Sequence, residues 1–238
     1  VIYGLRALGL PVDTGIAAIS ALMVLVPGLV FTNFMCDLIT GDMVSGLSTF
    51  VRAVLTATAI AIGTGVALGL FQTLGLAAEG VGNREDYGAV LQCLAAFLAC
   101  SGFCVMYNVH GWGVVLCCLG GALGWAVYLA MGMVTGSIYL RYLVAGIAIA
   151  AYAEAMARVR KYPITAYLVV SFFPLVPGSY IYYAMYYAIQ GQRQLFLESG
   201  IQALGLASCL AIGTLLVSTT VRTCVTWRRE RRMKRDTL

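Results

Sequence analysis

The chain has 238 residues, of which 61% are hydrophobic and only 11% are charged, and its formal net charge is +5. Soluble globular proteins carry about 25% charged residues, so this composition excludes an ordinary soluble domain. Several stretches of about 20 residues are almost free of charge, which is the length that a helix needs to cross a bilayer. Lipid offers no partner for backbone polar groups, and the alternating polarity of barrel strands is absent, so these stretches are predicted to be helices.

Taken in chain order, these stretches predict an all-α integral membrane protein with about seven transmembrane helices. The predicted crossings are residues 15–39, 47–76, 87–108, 111–131, 138–157, 163–190 and 200–222.

The first crossing contains Val26-Pro27-Gly28 in its middle. Proline removes a backbone donor and clashes with the preceding turn, so the helix should break here and a new half-helix should begin at Gly28. The free N–H groups and positive dipole of such a half-helix can hold an anionic group. A purely structural kink is the alternative.

Polar residues follow this break. Asn33 and Asp37 are four residues apart and therefore share a helical face. An ionisable residue within a membrane helix indicates function, often a proton relay. Asp37 is therefore a candidate proton-coupling residue. The alternative is that it lies among cytoplasmic headgroups at the end of its helix.

The sixth crossing contains a second break, Phe173-Pro174-Leu175-Val176-Pro177-Gly178. Two prolines three residues apart should interrupt the helix rather than bend it. Tyr182 and Tyr183 follow, and their hydroxyls could line a polar cavity, although an aromatic belt at the membrane interface is an equal alternative. Interrupted membrane helices are typical of transporter binding sites. The predicted substrate-binding residues are Pro27, Gly28, Asn33, Pro174, Pro177, Gly178, Tyr182 and Tyr183.

The two breaks belong to a longer internal match at an offset of 150 residues. Val26-Pro27-Gly28 corresponds to Val176-Pro177-Gly178, and Ala61-Ile62-Gly63-Thr64 corresponds to Ala211-Ile212-Gly213-Thr214. The second break lies in the fifth crossing after the first. Because five is odd, the two copies are predicted to be inverted-topology repeats, a property of secondary transporters.

This symmetry predicts three domains. Residues 1–78 would be the last two helices of a truncated first repeat, 87–222 a complete five-helix second repeat, and 223–238 a basic tail. By the same symmetry, about three helices would precede Val1 in the intact protein.

The basic residues are unevenly distributed. Many lie in the tail, and Arg158, Arg160 and Lys161 form a second cluster. Lys and Arg accumulate on the cytoplasmic side, so the C-terminus of this multi-pass protein is predicted to be cytoplasmic. Anionic lipid explains the tail more simply than nucleic acid does.

The sequence predicts no metal, cofactor or catalytic constellation. The eight cysteines form no C-x-x-C pair, and His110 is the only histidine. Small apolar packing residues are therefore the favoured interpretation of the cysteines. The sequence is interpreted as a non-enzyme, and a channel is disfavoured because broken inverted helices indicate alternating access.

These motifs resemble those of the threonine/serine exporter family. Val26-Pro-Gly leading to Asp37 and Gly41-Asp42-Met-Val-Ser-Gly46 resembles the motif of its first half, and Pro174-Leu-Val-Pro-Gly178 with Tyr182 and Gly191 resembles that of its second half. The resemblance implies ten helices in two five-helix halves. It also implies proton-driven export of threonine and serine, or of small dicarboxylates such as succinate.

The expected function is therefore proton-coupled secondary export of small amino acids across the plasma (cell inner) membrane. The expected partners are a small amino acid or carboxylate substrate, protons and the lipid bilayer, with no nucleic acid. A homo-oligomer is compatible with the sequence.

Overall fold

The computed structural model describes residues 28–73 and 88–236, in which the regular secondary structure is entirely helical. Eight α-helices and one short 3-10 turn, Phe173–Leu175, occur within these residues. The helices are α1 Gly28–Thr40, α2 Met43–Thr73, α3 Ala89–Met106, α4 Trp112–Val134, α5 Ile138–Arg160, α6 Ile164–Phe172, α7 Gly178–Ile189 and α8 Arg193–Asp236. Pro27 and the first half of the predicted crossing 15–39 lie outside the described residues.

The predicted all-α integral membrane class is confirmed. Within the described residues, five helices are long and apolar enough to cross a membrane, namely α2, α3, α4, α5 and α8. The pair formed by Ile164–Leu175 and Gly178–Ala188 qualifies as a sixth, broken crossing. The predicted crossing 163–190 is therefore two helices separated by a short break.

The last helix is much longer than the predicted crossing 200–222. It begins at Arg193 and continues to Asp236, so the segment named as a tail, 223–238, is helical almost to its end. Hydrophobicity marks only the part of a helix that lies in lipid. Beyond Gly213 the chain has no glycine or proline to end the helix, and its Arg, Lys, Glu and Met residues are good helix formers.

Contacts divide the chain into two compact units. The first contains, among the described residues, 28–73 and 177–205. Here α2 packs against both α1 and α7, and α1 also touches α7. Phe34 of α1 packs on Phe50 of α2 with ring centroids 4.8 Å apart. The face of α2 that carries Ala53, Ala57 and Ala61 is buried.

The second unit contains, among the described residues, 88–176 and 206–236. Helix α4 lies at its centre and contacts α3, α5 and α6. Buried glycines on α4 permit this crowding: a Cβ at Gly121 would collide with Cys100 Sγ, and one at Gly124 with Ile149 Cδ1. Helix α8 packs as closely, since a Cβ at Gly213 would lie 3.1 Å from the backbone of α5.

The cysteines of the second unit pack in this core. Cys100, Cys104, Cys117 and Cys118 are all buried in one hydrophobic cluster with Phe103, Tyr167 and Val170. The Cys100 thiol donates to the Val170 carbonyl at 3.5 Å, and the Cys117 thiol to the Ala166 carbonyl at 3.7 Å. These thiols therefore join helices as small, weakly polar packing groups.

Candidate functional site

The helix break predicted at the second Pro-Gly pair is present. The 3-10 turn ends at Leu175, Val176 is extended (φ −62°, ψ 128°), and Pro177 precedes α7 with φ −75° and ψ 43°. Helix α7 then begins at Gly178, and its first α-helical hydrogen bond runs from the Ile181 N–H to the Pro177 carbonyl at 3.3 Å. As at any helix N-terminus, the first N–H groups of α7 have no acceptor within their own helix.

The residues of this break are shielded from solvent, but they belong to different units. Pro177 and Gly178 are buried and lie in the first unit. Pro174 lies in the second unit, where its ring packs against Gly121 of α4. Pro174 therefore breaks the helix and also fills a space that a glycine leaves open.

The tyrosines after the break form a compact aromatic group on α7. Tyr182 stacks on Tyr186 with centroids 6.2 Å apart, and Tyr183 stacks on Tyr187 at 6.0 Å. Tyr182 is only 5% exposed, whereas Tyr183 is half-buried. Side chains of an interfacial belt contact headgroups and water, so the burial of Tyr182 is not typical of a belt residue. The role of Tyr182 and Tyr183 in lining a polar cavity stays a prediction.

The turns that follow α1 and α7 have the same backbone conformation. Gly41 after α1 has φ +88°, and Gly191 after α7 has φ +72°. This left-handed conformation is available to glycine without strain. The next helices begin at Met43 and Arg193, so all these positions differ by the 150-residue offset of the sequence match.

The hydrogen bonds of the two turns also match. The Asp42 N–H donates to the Asp37 carbonyl at 3.0 Å, and the Gln192 N–H donates to the Tyr187 carbonyl at 2.9 Å. Both bonds close a helix end in the manner of a Schellman motif. The two turns are therefore equivalent in backbone geometry as well as in sequence position.

The side chains at these equivalent turns differ, and those of the first turn are acidic. Asp37 is half-buried, and its Oδ2 accepts a hydrogen bond of 2.9 Å from the Ser45 hydroxyl. Asp42 Oδ1 accepts the Ser45 backbone N–H at 3.1 Å and so caps the start of α2. Asp37 thus lies at a helix–helix turn with a hydroxyl partner, and Asp42 has a structural role.

Asn33 occupies the helical turn before Asp37, and its side chain is exposed. The structure therefore places Asn33 and Asp37 on α1, and Tyr182 and Tyr183 on α7, which α1 touches. Gly28 is the first described residue of α1. Whether it also begins a half-helix depends on Pro27, which lies outside the described residues.

Two contacting residues were not identified from the sequence. Ser45 lies eight residues from Asp37, and only the tight turn at Gly41 brings the two side chains together. Thr58 of α2 donates to Met185 Sδ of α7 at 3.4 Å and to the Val54 carbonyl at 2.7 Å. Neither spacing along the chain nor the internal match indicates this contact.

A helical protein with several bilayer crossings, one of them interrupted at Pro-Gly, has the architecture of a membrane transporter. The family model "Threonine/Serine exporter, ThrE" matches residues 92–220. A second threonine/serine exporter model matches residues 1–71. The chain belongs to the threonine/serine exporter family, a family of transporters rather than enzymes. No curated protein and no solved structure matches it.

Proposed function

We propose that this protein is a proton-coupled secondary exporter of threonine and serine in the plasma membrane. The observation that carries the proposal is the buried N-terminus of α7 at Gly178, directly after the Pro177 break and directly before the tyrosine group. Helix N-termini bind anionic groups, because their N–H groups and dipole point outward from the first turn.

The substrate carboxylate would bind at this N-terminus. An amino acid also carries an ammonium group, and aromatic ring faces attract such cations. Tyr182 and Tyr183 lie one turn further along α7 and would meet the ammonium group or the side-chain hydroxyl. The buried position of Tyr182 supports this role, since a desolvated contact is stronger than an exposed one.

The coupling proton would be carried by Asp37. Its carboxylate is half-buried and hydrogen-bonded to Ser45, so it is neither fully enclosed nor fully in water. Protonation would weaken its attraction for the Ser45 hydroxyl and free the turn between α1 and α2. A proton could therefore change the geometry of the first unit through this one hydrogen bond.

The repeat interpretation supports a transporter rather than a channel. The matching turns at Gly41 and Gly191 support an internal repeat, and the alanines on the equivalent faces of α2 and α8 are buried in both helices. These are Ala53, Ala57 and Ala61 on α2 and Ala203, Ala207 and Ala211 on α8. We infer that the repeats are inverted, which would provide the two alternating arrangements that transport requires.

Export of small dicarboxylates such as succinate is the second candidate. The Pro-Gly pairs at Gly28 and Gly178 would supply two helix N-termini, and a dicarboxylate has one anionic group for each.

The test is counterflow in proteoliposomes that contain the intact protein, with radiolabelled threonine, serine and succinate as separate substrates. Uptake of threonine and serine against unlabelled internal substrate is expected, together with acceleration of net export by a pH gradient. Counterflow of succinate alone would select the dicarboxylate function. Absence of counterflow for all three substrates would contradict both candidates.

A further inference from the structure

Helix α8 is too long to lie within the bilayer. Its 44 residues extend for about 66 Å at 1.5 Å per residue, whereas the hydrocarbon core is about 30 Å thick. The uncharged part of the helix lies between Glu198 and Arg222 and is about 34 Å long, which is sufficient to fill that core. The helical turns from Arg222 onward therefore lie in the headgroup layer and just beyond it.

This end of α8 is strongly basic. Seven of the fifteen Lys and Arg residues of the chain occur in residues 222–235, with the acidic residues Glu230 and Asp236 beside them. The basic residues are Arg222, Arg228, Arg229, Arg231, Arg232, Lys234 and Arg235. This much positive charge is not needed for topology alone, since a few basic residues set orientation.

The basic positions do not form a single stripe. At about 100° per residue, they cover more than half of the circumference of the helix. An amphipathic helix that lies flat on a membrane has one polar and one apolar face. The sequence of 222–235 lacks that division, so this segment fits a helix that rises through the headgroups with charge on most of its sides.

Trp227 marks the level of the membrane interface on the same helix. Its side chain is 59% exposed, and that of nearby Val225 is 45% exposed. Tryptophan is enriched at the boundary between hydrocarbon and headgroups. Trp227 lies five residues, or about 7.5 Å, beyond Arg222, within the thickness of a headgroup layer.

We propose that residues 222–235 form a binding site for the headgroups of anionic phospholipids, which gather around this end of α8. Each Lys or Arg near an anionic membrane surface strengthens the attraction about fivefold. Because the helix is already anchored in the bilayer, the consequence is a local enrichment of anionic over zwitterionic lipid. The proposal does not depend on the transported substrate.

The test measures the lipid composition around Trp227. The protein is placed in vesicles of phosphatidylcholine with 20 mol% phosphatidylglycerol (about one lipid in five), and bromine is carried either by the phosphatidylglycerol or by an equal amount of the phosphatidylcholine. Bromine quenches nearby tryptophan. The Trp227→Phe variant reports Trp112 and Trp125, so subtraction isolates the signal of Trp227.

Brominated phosphatidylglycerol is expected to quench Trp227 at least about twice as strongly as brominated phosphatidylcholine, and the excess should vanish at about 1 M NaCl, where the screening length is about 3 Å. The excess should also vanish when Arg228, Arg229, Arg231 and Arg232 are replaced by Gln. Neutralising Arg158, Arg160 and Lys161 instead is the matched control and should preserve it.

Equal quenching by the two lipids in the unmodified protein would overturn the proposal. Persistence of the excess in the tail variant would do the same, because the site would then lie elsewhere. Loss of the excess on addition of duplex DNA at low salt would identify a nucleic-acid surface instead. Size-exclusion chromatography of the tail variant in detergent separates loss of charge from misfolding.

Discussion

Asp37 and Tyr187 occupy equivalent positions in two turns of the same backbone geometry, yet their side chains have different chemistry. The backbone requirements of the two turns are therefore the same, and they do not explain why an acid is present at one and a phenol at the other. Asp37 has a hydroxyl partner in Ser45, while the position equivalent to Ser45 is Leu195. Because this hydrogen-bonded pair occurs in one copy only, we propose that it couples transport to protons.

Replacing Asp37 with Asn should leave exchange of substrate for substrate intact, because exchange requires no net movement of protons. Net export driven by a pH gradient should fall to the rate measured without the gradient, because Asn cannot take up or release the proton. Both rates can be measured with the same proteoliposomes.

Two neighbouring variants provide the controls for this prediction. Asp42→Asn should preserve both rates, since Asn also caps helices well. Ser45→Ala should give an intermediate loss of gradient-driven export, because the carboxylate remains but loses a donor. Normal gradient-driven export in Asp37→Asn would assign Asp37 a helix-end role only.

Gly178 is expected to allow the closest approach of substrate to the protein backbone. Gly178→Val should weaken substrate binding roughly ten- to a hundredfold, which corresponds to the loss of a hydrogen bond to a charged group. Equilibrium binding of radiolabelled threonine to the purified protein measures this change.

Gly102→Val is the matched control, because a Cβ at Gly102 meets nothing within 4 Å. Thermal melting in detergent shows whether the buried Gly178→Val variant remains folded. Undiminished threonine binding by a folded Gly178→Val protein would show that the substrate does not bind at this helix end.

At the scale of the elements, close packing around α4 depends on glycine. A Cβ at Gly121 would meet Cys100 Sγ of α3, and Pro174 lies against the same surface. Gly121→Ala should therefore destabilise the protein by about 1–3 kcal/mol, the usual cost of overpacking, and lower its melting temperature by about 2–4 °C per kcal/mol.

The collision itself can be tested with a double mutant. Cys100→Ala removes the sulfur atom that obstructs the new methyl group. The double variant should therefore lose less stability than the sum of the losses of the two single variants. Gly102→Ala on α3 has open space and should be neutral or slightly stabilising, because alanine favours a helix more than glycine does. Simple additivity of Gly121→Ala and Cys100→Ala would contradict direct contact between these residues.

The crossings and the second helix break were predictable because they depend on local properties. A stretch of about 20 apolar residues without charge specifies a crossing. Two prolines three residues apart specify the break before Gly178. The extent of α8 was underestimated, because hydrophobicity says nothing about where a polar helix continues. The Asp37–Ser45 and Thr58–Met185 contacts depend on the turn at Gly41 and on helix packing, and spacing along the chain does not reveal them.

At the scale of the whole molecule, the direction of transport depends on which ends of the helices face the cytoplasm. The distribution of basic residues predicts this membrane topology. A cluster of three exposed basic residues lies at the end of α5, with Arg158 and Arg160 in its last turn and Lys161 directly after it. Two predicted crossings separate this cluster from the basic end of α8, so both should face the cytoplasm. The segment between α2 and α3 should then face outward.

Single-cysteine labelling tests this arrangement. Asn83→Cys and Thr237→Cys are each introduced together with Cys224→Ser, which removes an exposed thiol close to the second position. In intact cells, a membrane-impermeant maleimide should label position 83, while position 237 should react only after permeabilisation. The protein with Cys224→Ser alone gives the background from the remaining cysteines.

If both positions label equally in intact cells, an odd number of crossings does not separate them. The two Pro-Gly copies would then have the same orientation, and the inverted repeat on which alternating access depends would be lost.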